Sequence, residues 1–170
     1  MIPANRHREW RRYAPVVVAI MASSLLGCAQ DLTQPTLPAS ALALEQPLPA
    51  PGQSALRVAS IRQVGDPVVV DVPATMTAGV PTTVAVTTYS GGCITDDTTI
   101  VDVHGQSADV IPFQLVYQPK QNESCSTELQ VNSREVLVTF AQPGSATVKI
   151  YGRSYPDGGV VIVTRQVTVQ

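Results

Sequence analysis

The sequence predicts an all-β domain over residues 55–170, an antiparallel sandwich of about seven to nine strands. Beyond residue 54 the chain consists of short Val- and Thr-rich runs separated by Gly, Pro, Asn and Asp, a composition typical of strands joined by turns. Several runs alternate apolar and polar residues, and no helical periodicity occurs in this part of the chain. A small barrel is the alternative architecture.

The strands are predicted in chain order from these runs. Six precede residue 132, the last of them short: 56–62, 68–72, 82–89, 98–103, 110–118 and 127–131. Three more follow as consecutive antiparallel strands at 135–140, 146–151 and 160–169, joined by turns at 142–145 and 155–159. In the second of these, Ala146, Val148 and Ile150 share the inward face. Residues 164–166 break the alternation of the last strand, and a bulge near Thr164 would restore one inward face.

Residues 1–27 have the three parts of an export signal. Arg6, Arg8, Arg11 and Arg12 form a positive start, residues 14–26 are apolar, and a small-residue region ends at Gly27-Cys28. The apolar run of about a dozen residues is shorter than the roughly 20 that a membrane-spanning helix needs. We therefore expect a signal peptide and not a stable membrane span.

The junction Leu25-Leu26-Gly27-Cys28 resembles the lipobox of bacterial lipoproteins. This resemblance implies that Cys28 is acylated on its thioether and its amino group and becomes the new amino terminus. Several acyl chains give lasting attachment where one does not. Ala29 after the cysteine implies the outer membrane, on its periplasmic face or at the cell surface. The alternative is an ordinary signal peptide in which Cys28 is incidental.

Residues 28–54 are predicted to be a flexible linker that holds the domain clear of the bilayer. This stretch contains five prolines and no aromatic residue, and proline fixes φ and removes backbone donors. Residues 39–45 can form a helical turn, which is too short to persist alone in water.

The charge balance limits the partners. The whole chain has a net charge of −2, and residues 29–170 carry seven Lys and Arg against twelve Asp and Glu, a net charge of −5. Without a cluster of cations we expect no nucleic-acid partner. A second, electrostatic attachment to anionic lipid is also disfavoured. The expected partners are the membrane, through the lipid on Cys28, and a protein of the envelope.

Cys93 and Cys125 remain as an even pair in an exported chain, which predicts a disulfide. It would close a loop of about 33 residues and stabilise the fold by roughly 3.5–4 kcal/mol. Both cysteines lie in predicted loops, unlike the buried bridge of antibody domains. The segment 140–148 between two late strands resembles bacterial immunoglobulin-like domains in a broad sense, which implies that the sandwich is immunoglobulin-like.

Few residues suggest chemistry. His104 is the only histidine after the signal and ends a predicted strand beside Gly105, so we interpret it as a loop residue and nominate no catalytic residue. Asp96, Asp97 and Asp102 are weak candidates for a calcium site, because calcium takes several oxygens from a flexible loop. Their spacing departs from that of the EF-hand, so a solvated acidic turn is the better interpretation. No metal and no cofactor are expected beyond the covalent lipid.

The leading hypothesis is a lipid-anchored envelope protein whose sandwich is a binding or structural interaction module and not an enzyme. Recognition in such domains usually depends on loops, here 94–99, 120–126 and 155–159. The alternatives are a small-ligand or calcium-binding lipoprotein and, less favoured, a hydrolase, in which His104 would have to act as the base.

Overall fold

A computed structural model describes residues 35–170. The predicted export signal, Cys28 and the first residues of the predicted linker lie outside the described residues. The rest forms one short helix and ten strands: α1 (Ala39–Leu44), β1 (Ser54–Val58), β2 (Ser60–Gln63), β3 (Val70–Asp71), β4 (Thr75–Met76), β5 (Thr82–Gly91), β6 (Ile94–His104), β7 (Ser107–Tyr117), β8 (Leu129–Val138), β9 (Gly144–Tyr155) and β10 (Val160–Val169). The all-β prediction is confirmed. No helix within residues 35–170 is long and apolar enough to cross a bilayer.

Five strands close into a barrel, in the order β7, β6, β5, β2, β9 and back to β7. Two of these junctions are short, since β5 pairs with β6 only at Gly91–Ile94 and with β2 only at Ser60–Tyr89. The other strands extend the sheet, with β1 on β7, β8 and β3 on β5, β10 on β9, and β4 on β10. This closure matches the alternative barrel architecture.

The prediction that every strand pair is antiparallel is wrong. β9 pairs in parallel with both β2 and β7, and β10 pairs in parallel with β4. The pairing of this part of the chain passes from β7 to β9 at Ala59, which separates β1 from β2. Its N–H donates to the carbonyl oxygen of Pro112, and its carbonyl oxygen accepts from the N–H of Arg153, at 2.8 and 2.9 Å. The predicted strand 56–62 is therefore two strands, the first on β7 and the second on β9.

The main core fills the barrel. Val84, Val86 and Thr88 of β5 are fully buried, as are Val148 and Ile150 of β9, so the predicted inward face of β9 is confirmed. Isoleucine, valine and alanine side chains supply most of the remaining volume.

A second core lies outside the barrel, on the opposite face of β7. Ile111 and Phe113 are buried there beneath Leu37 and Ala41, together with Tyr151 of β9. Residues of the predicted flexible linker are therefore packed onto the domain. A helix of six residues does not persist alone in water, and burial of Ala41, together with that of Leu37 just before the helix, stabilises it here.

The last strand is regular. β10 pairs with β9 without interruption from Val160–Arg153 to Val169–Gly144, so the bulge expected near Thr164 is absent from this strand. Arg165 occupies the inward row between Val163 and Val167 and remains exposed. A charged residue on the inward row of a strand at the sheet margin discourages pairing with a foreign strand.

Candidate binding groove

A groove of about 480 Å³ lies at one end of the domain. Three segments supply most of its lining, namely residues 91–94, 117–119 and 125–129, and Gln63 and Tyr155 complete it. We call this surface the loop groove. Of the three segments predicted as recognition loops, 120–126 contributes Cys125 and Ser126 to the lining, and the other two contribute only Ile94 and Tyr155. The prediction that 94–99 is a loop is wrong, because these residues begin strand β6, and Tyr155 is the last residue of β9.

The disulfide between Cys93 and Cys125 forms one wall, and its prediction is confirmed. The two Cα atoms are 5.2 Å apart, so the β5–β6 turn is joined directly to the loop between β7 and β8. Gly92 in this turn has φ +66°, a conformation that favours glycine, and a Cβ there would lie 2.9 Å from the carbonyl oxygen of Ser126. Glycine thus allows the second loop to lie against the turn.

Glu123 organises the loop after β7. One of its carboxylate oxygens accepts hydrogen bonds from the Tyr117 hydroxyl at 2.6 Å and from the Lys120 N–H at 3.0 Å. These two bonds, the first being the stronger influence, lower the pKa of Glu123 below its ordinary value. The main-chain N–H of Tyr117 also donates to the carbonyl oxygen of Cys93 at 2.8 Å. A loop without regular secondary structure is therefore fixed at several points.

The loop groove offers two kinds of contact. Tyr117 and Tyr155 carry rings with a polar tip, and Ile94 and Leu129 add aliphatic surface. Main-chain groups of residues 125–128, which belong to no strand, lie along one side. Because the two cysteines are bonded to each other, neither supplies a thiolate nucleophile. The arrangement suits the binding of a segment with both apolar and hydrogen-bonding groups.

The sequence did not identify Gln63, Tyr117 or Leu129 as groove residues. Tyr117 lies next to the last residue of the predicted strand 110–118, and nothing in its spacing separates it from an ordinary strand residue. Gln63 reaches the groove because the parallel pairing of β2 with β9 places it opposite Tyr155.

The aspartates that were candidates for a cation site contact other groups of the protein and not one another. Asp96 faces Arg134, with its Oδ1 3.5 Å from Nη1, and accepts a hydrogen bond from the Thr88 hydroxyl at 3.1 Å. Asp97 accepts from the N–H of Thr98 at 2.7 Å through its side chain, and its carbonyl oxygen accepts from Arg134. Across residues 35–170, no three acidic, histidine or cysteine side chains converge as a metal site would require.

His104 and Asp102 form an exposed pair near the tip of the β6–β7 hairpin. His104 Nε2 lies 2.9 Å from Asp102 Oδ2, and the histidine side chain is largely exposed. This places Asp102 with His104 and away from Asp96 and Asp97.

Gln114 is a buried polar residue that the sequence did not single out. Its amide nitrogen donates to the carbonyl oxygen of Tyr89 at 2.9 Å and to Asp96 at 3.3 Å, while its oxygen accepts from the N–H of Ser60 at 3.1 Å. These contacts join β7 to β5, β6 and β2 where the β2–β5 pairing covers only one residue pair. The side chain thus helps to close the barrel where the β2–β5 pairing is short.

The fold and site together define an all-β barrel domain with a disulfide-braced surface groove. Comparison of the chain with protein-family models, with curated proteins and with solved structures finds no match.

Proposed function

We propose that this chain is a lipid-anchored protein of the bacterial envelope that binds a segment of an envelope protein in the loop groove. The single observation that supports binding is the convergence on one groove of the β5–β6 turn, the loop between β7 and β8, and the ends of β2 and β9. Loops held on a rigid scaffold are a common location for recognition. The proposed lipid anchor is supported by the lipobox-like residues that end at Cys28, and the proposed location is the outer membrane.

The proposal treats the protein as a binding module and not an enzyme. The groove lining offers rings, aliphatic surface and main-chain groups, and its cysteines are bonded to each other. The aspartates nominated for calcium engage arginine, histidine or main-chain partners instead of one another. The groove is therefore the surface on which a test of function should concentrate.

Site-specific photo-crosslinking in membranes of the source organism tests the binding role. A crosslinking residue at Thr127, which lines the groove and is exposed, is compared with one at Asp66, an exposed turn residue outside the lining. We expect a discrete crosslinked protein from position 127 and none from position 66. Equal products at the two positions, or none at position 127, would overturn the proposal.

Intact mass spectrometry tests the anchor. The membrane-extracted chain is compared with its Cys28→Ala variant. We expect a mass that includes two or three acyl chains, and its loss in the variant. An unmodified mass for the chain itself contradicts lipid anchorage.

A further inference from the structure

Three leucines are exposed on the segment that follows the proposed anchor. Leu42 is 57% exposed, Leu44 43% and Leu48 76%, and all three lie within seven consecutive residues. We call them the leucine patch. The same segment is fixed to the domain through Ala41, which is fully buried in the second core.

The leucine patch cannot turn inward, because two residues between Leu44 and Leu48 are fixed to strands. Glu45 lies between Leu44 and Leu48 and binds Arg57 of β1 and Arg153 of β9. The next residue, Gln46, exchanges hydrogen bonds with Leu56: its N–H donates to the Leu56 carbonyl oxygen at 2.9 Å, and its side-chain oxygen accepts from the Leu56 N–H at 3.0 Å.

The charge on this segment is compensated. Glu45 is the only charged residue between positions 35 and 50, and its carboxylate is paired with two arginines. The patch therefore exposes apolar surface without an unpaired carboxylate to be removed from water. That combination suits an apolar or interfacial surface better than a cationic partner.

The length of chain before the patch decides which surface covers it. Only six residues, 29–34, separate Cys28 from Pro35, and Leu37 is already buried in the domain. The seven Cα–Cα steps from Cys28 to Pro35 span at most about 25 Å when fully extended. If the acyl chains of Cys28 lie in a bilayer, the patch is held close to that bilayer.

We infer that the leucine patch rests against the lipid surface, so that α1 is a second, non-covalent membrane contact. The inference depends on the proposed lipid anchor at Cys28. The domain is then docked on the membrane by its first helix. The flexible linker predicted from the sequence would instead have held it clear of the bilayer. Leucine side chains in the interfacial region add apolar burial to the attachment made by acyl chains.

A fluorescent probe in the full, lipidated chain tests the inference. Leu48→Cys is labelled with an NBD dye, and the control is Leu137→Cys, an exposed leucine on β8 that lies outside the patch. With Cys28 acylated and Cys93 bonded to Cys125, the new cysteine is the free thiol for labelling. Each labelled protein is reconstituted in vesicles of phosphatidylethanolamine and phosphatidylglycerol, with and without doxyl-labelled lipid.

We expect blue-shifted emission and a several-fold loss of fluorescence on addition of doxyl lipid for the probe at position 48, and neither for the probe at 137. Aqueous emission at position 48, or equal quenching at both positions, would overturn the inference. Intact mass measured before reconstitution separates the two proposals. An acylated chain with an aqueous probe at position 48 refutes only the leucine contact, whereas an unacylated chain refutes the anchor and the contact together.

Discussion

Glu45 holds α1 on the domain, and its substitution by glutamine isolates that contact. Its Oε1 atom accepts from Arg57 Nε at 3.0 Å and from Arg153 Nε and Nη2 at 3.0 and 2.8 Å. Its Oε2 atom accepts a further bond from Arg153 Nη2 at 2.7 Å. Glu45→Gln keeps the size of the side chain and one acceptor oxygen, but it removes the negative charge.

The expected cost follows from the burial of the three groups. The Glu45 side chain is 9% exposed, and those of Arg57 and Arg153 are 22% and 23% exposed. Removing one partner of a fully buried ion pair costs about 3–5 kcal/mol. Because both arginines keep contact with water, we expect a smaller loss of about 2 kcal/mol in the free energy of unfolding.

Urea-induced unfolding at pH 7 measures this loss. The matched control is Glu135→Gln on β8, where the glutamate is exposed. We expect the control to lie within about 0.5 kcal/mol of the unsubstituted protein. Equal stability of Glu45→Gln and the unsubstituted protein would show that the arginines do not hold α1.

Glu45→Gln and the unsubstituted protein can also be compared for the dependence of their stability on pH. Burial raises the pKa of Glu45, but hydrogen bonds from Arg153 and Arg57 and the charges of both lower it by more, so the folded-state pKa lies below the ordinary value of 4.5. A lowered pKa stabilises the fold above the unfolded-state value, and this contribution is lost as the pH falls through the folded-state value. The difference between Glu45→Gln and the unsubstituted protein should therefore narrow below pH 4.5. A difference that acid leaves unchanged would refute the electrostatic explanation.

Two further predictions concern the groove and the barrel closure. The double substitution Cys93→Ser/Cys125→Ser opens a loop with a sequence separation of 32 residues. The chain-entropy relation gives a loss of about 3.7 kcal/mol in the free energy of unfolding at 25 °C. Urea unfolding should show this loss, and reduction of the unsubstituted protein before unfolding should reproduce it. A double variant as stable as the unsubstituted protein would contradict this. Gln114→Leu leaves buried main-chain groups of β2 and β5 unpaired and should cost about 2–4 kcal/mol, whereas Gln130→Leu on exposed surface should cost little. Similar stabilities of these two leucine variants would refute the role given to Gln114.

Alternation in the sequence predicted the strands because it records which side of a strand is buried. The run Val160–Val169 has the predicted bounds, and Ala146, Val148 and Ile150 face the core as predicted. Alternation does not record the partner of a strand or its direction. The stretch 56–62 therefore gave no sign that pairing passes from β7 to β9 at Ala59.

The second core shows a different limit of the sequence. The run Val110-Ile111-Pro112-Phe113 is apolar on both faces, which is typical of a strand buried on two sides. What covers its outer face is set by tertiary packing of α1, whose own propensity does not sustain a helix. A linker composition and a docked helix are thus compatible, because none of the five prolines between positions 28 and 54 lies within residues 39–44, and the helix can form there.

The candidate site was predictable in part for a physical reason. Pairing of Cys93 with Cys125 brings the β5–β6 turn against the predicted loop 120–126, and an even pair of cysteines is visible in the sequence. Tyr155 and Gln63 reach the groove through the parallel alignment of β2 with β9, a long-range pairing that no local pattern encodes.

Docking of α1 couples the stability of the domain to its proposed distance from the membrane. With α1 docked, the seven Cα–Cα steps from Cys28 to Pro35 cover at most about 25 Å. If α1 and the residues after it were released as far as β1, which begins at Ser54, the stretch from Cys28 to Ser54 could span about 90 Å. Glu45→Gln should therefore change more than stability: in the lipidated protein it should also weaken the lipid quenching of a probe at position 48. If that variant lost stability but kept full quenching, the ion pair would be structural only, and the leucine patch would hold the membrane without it.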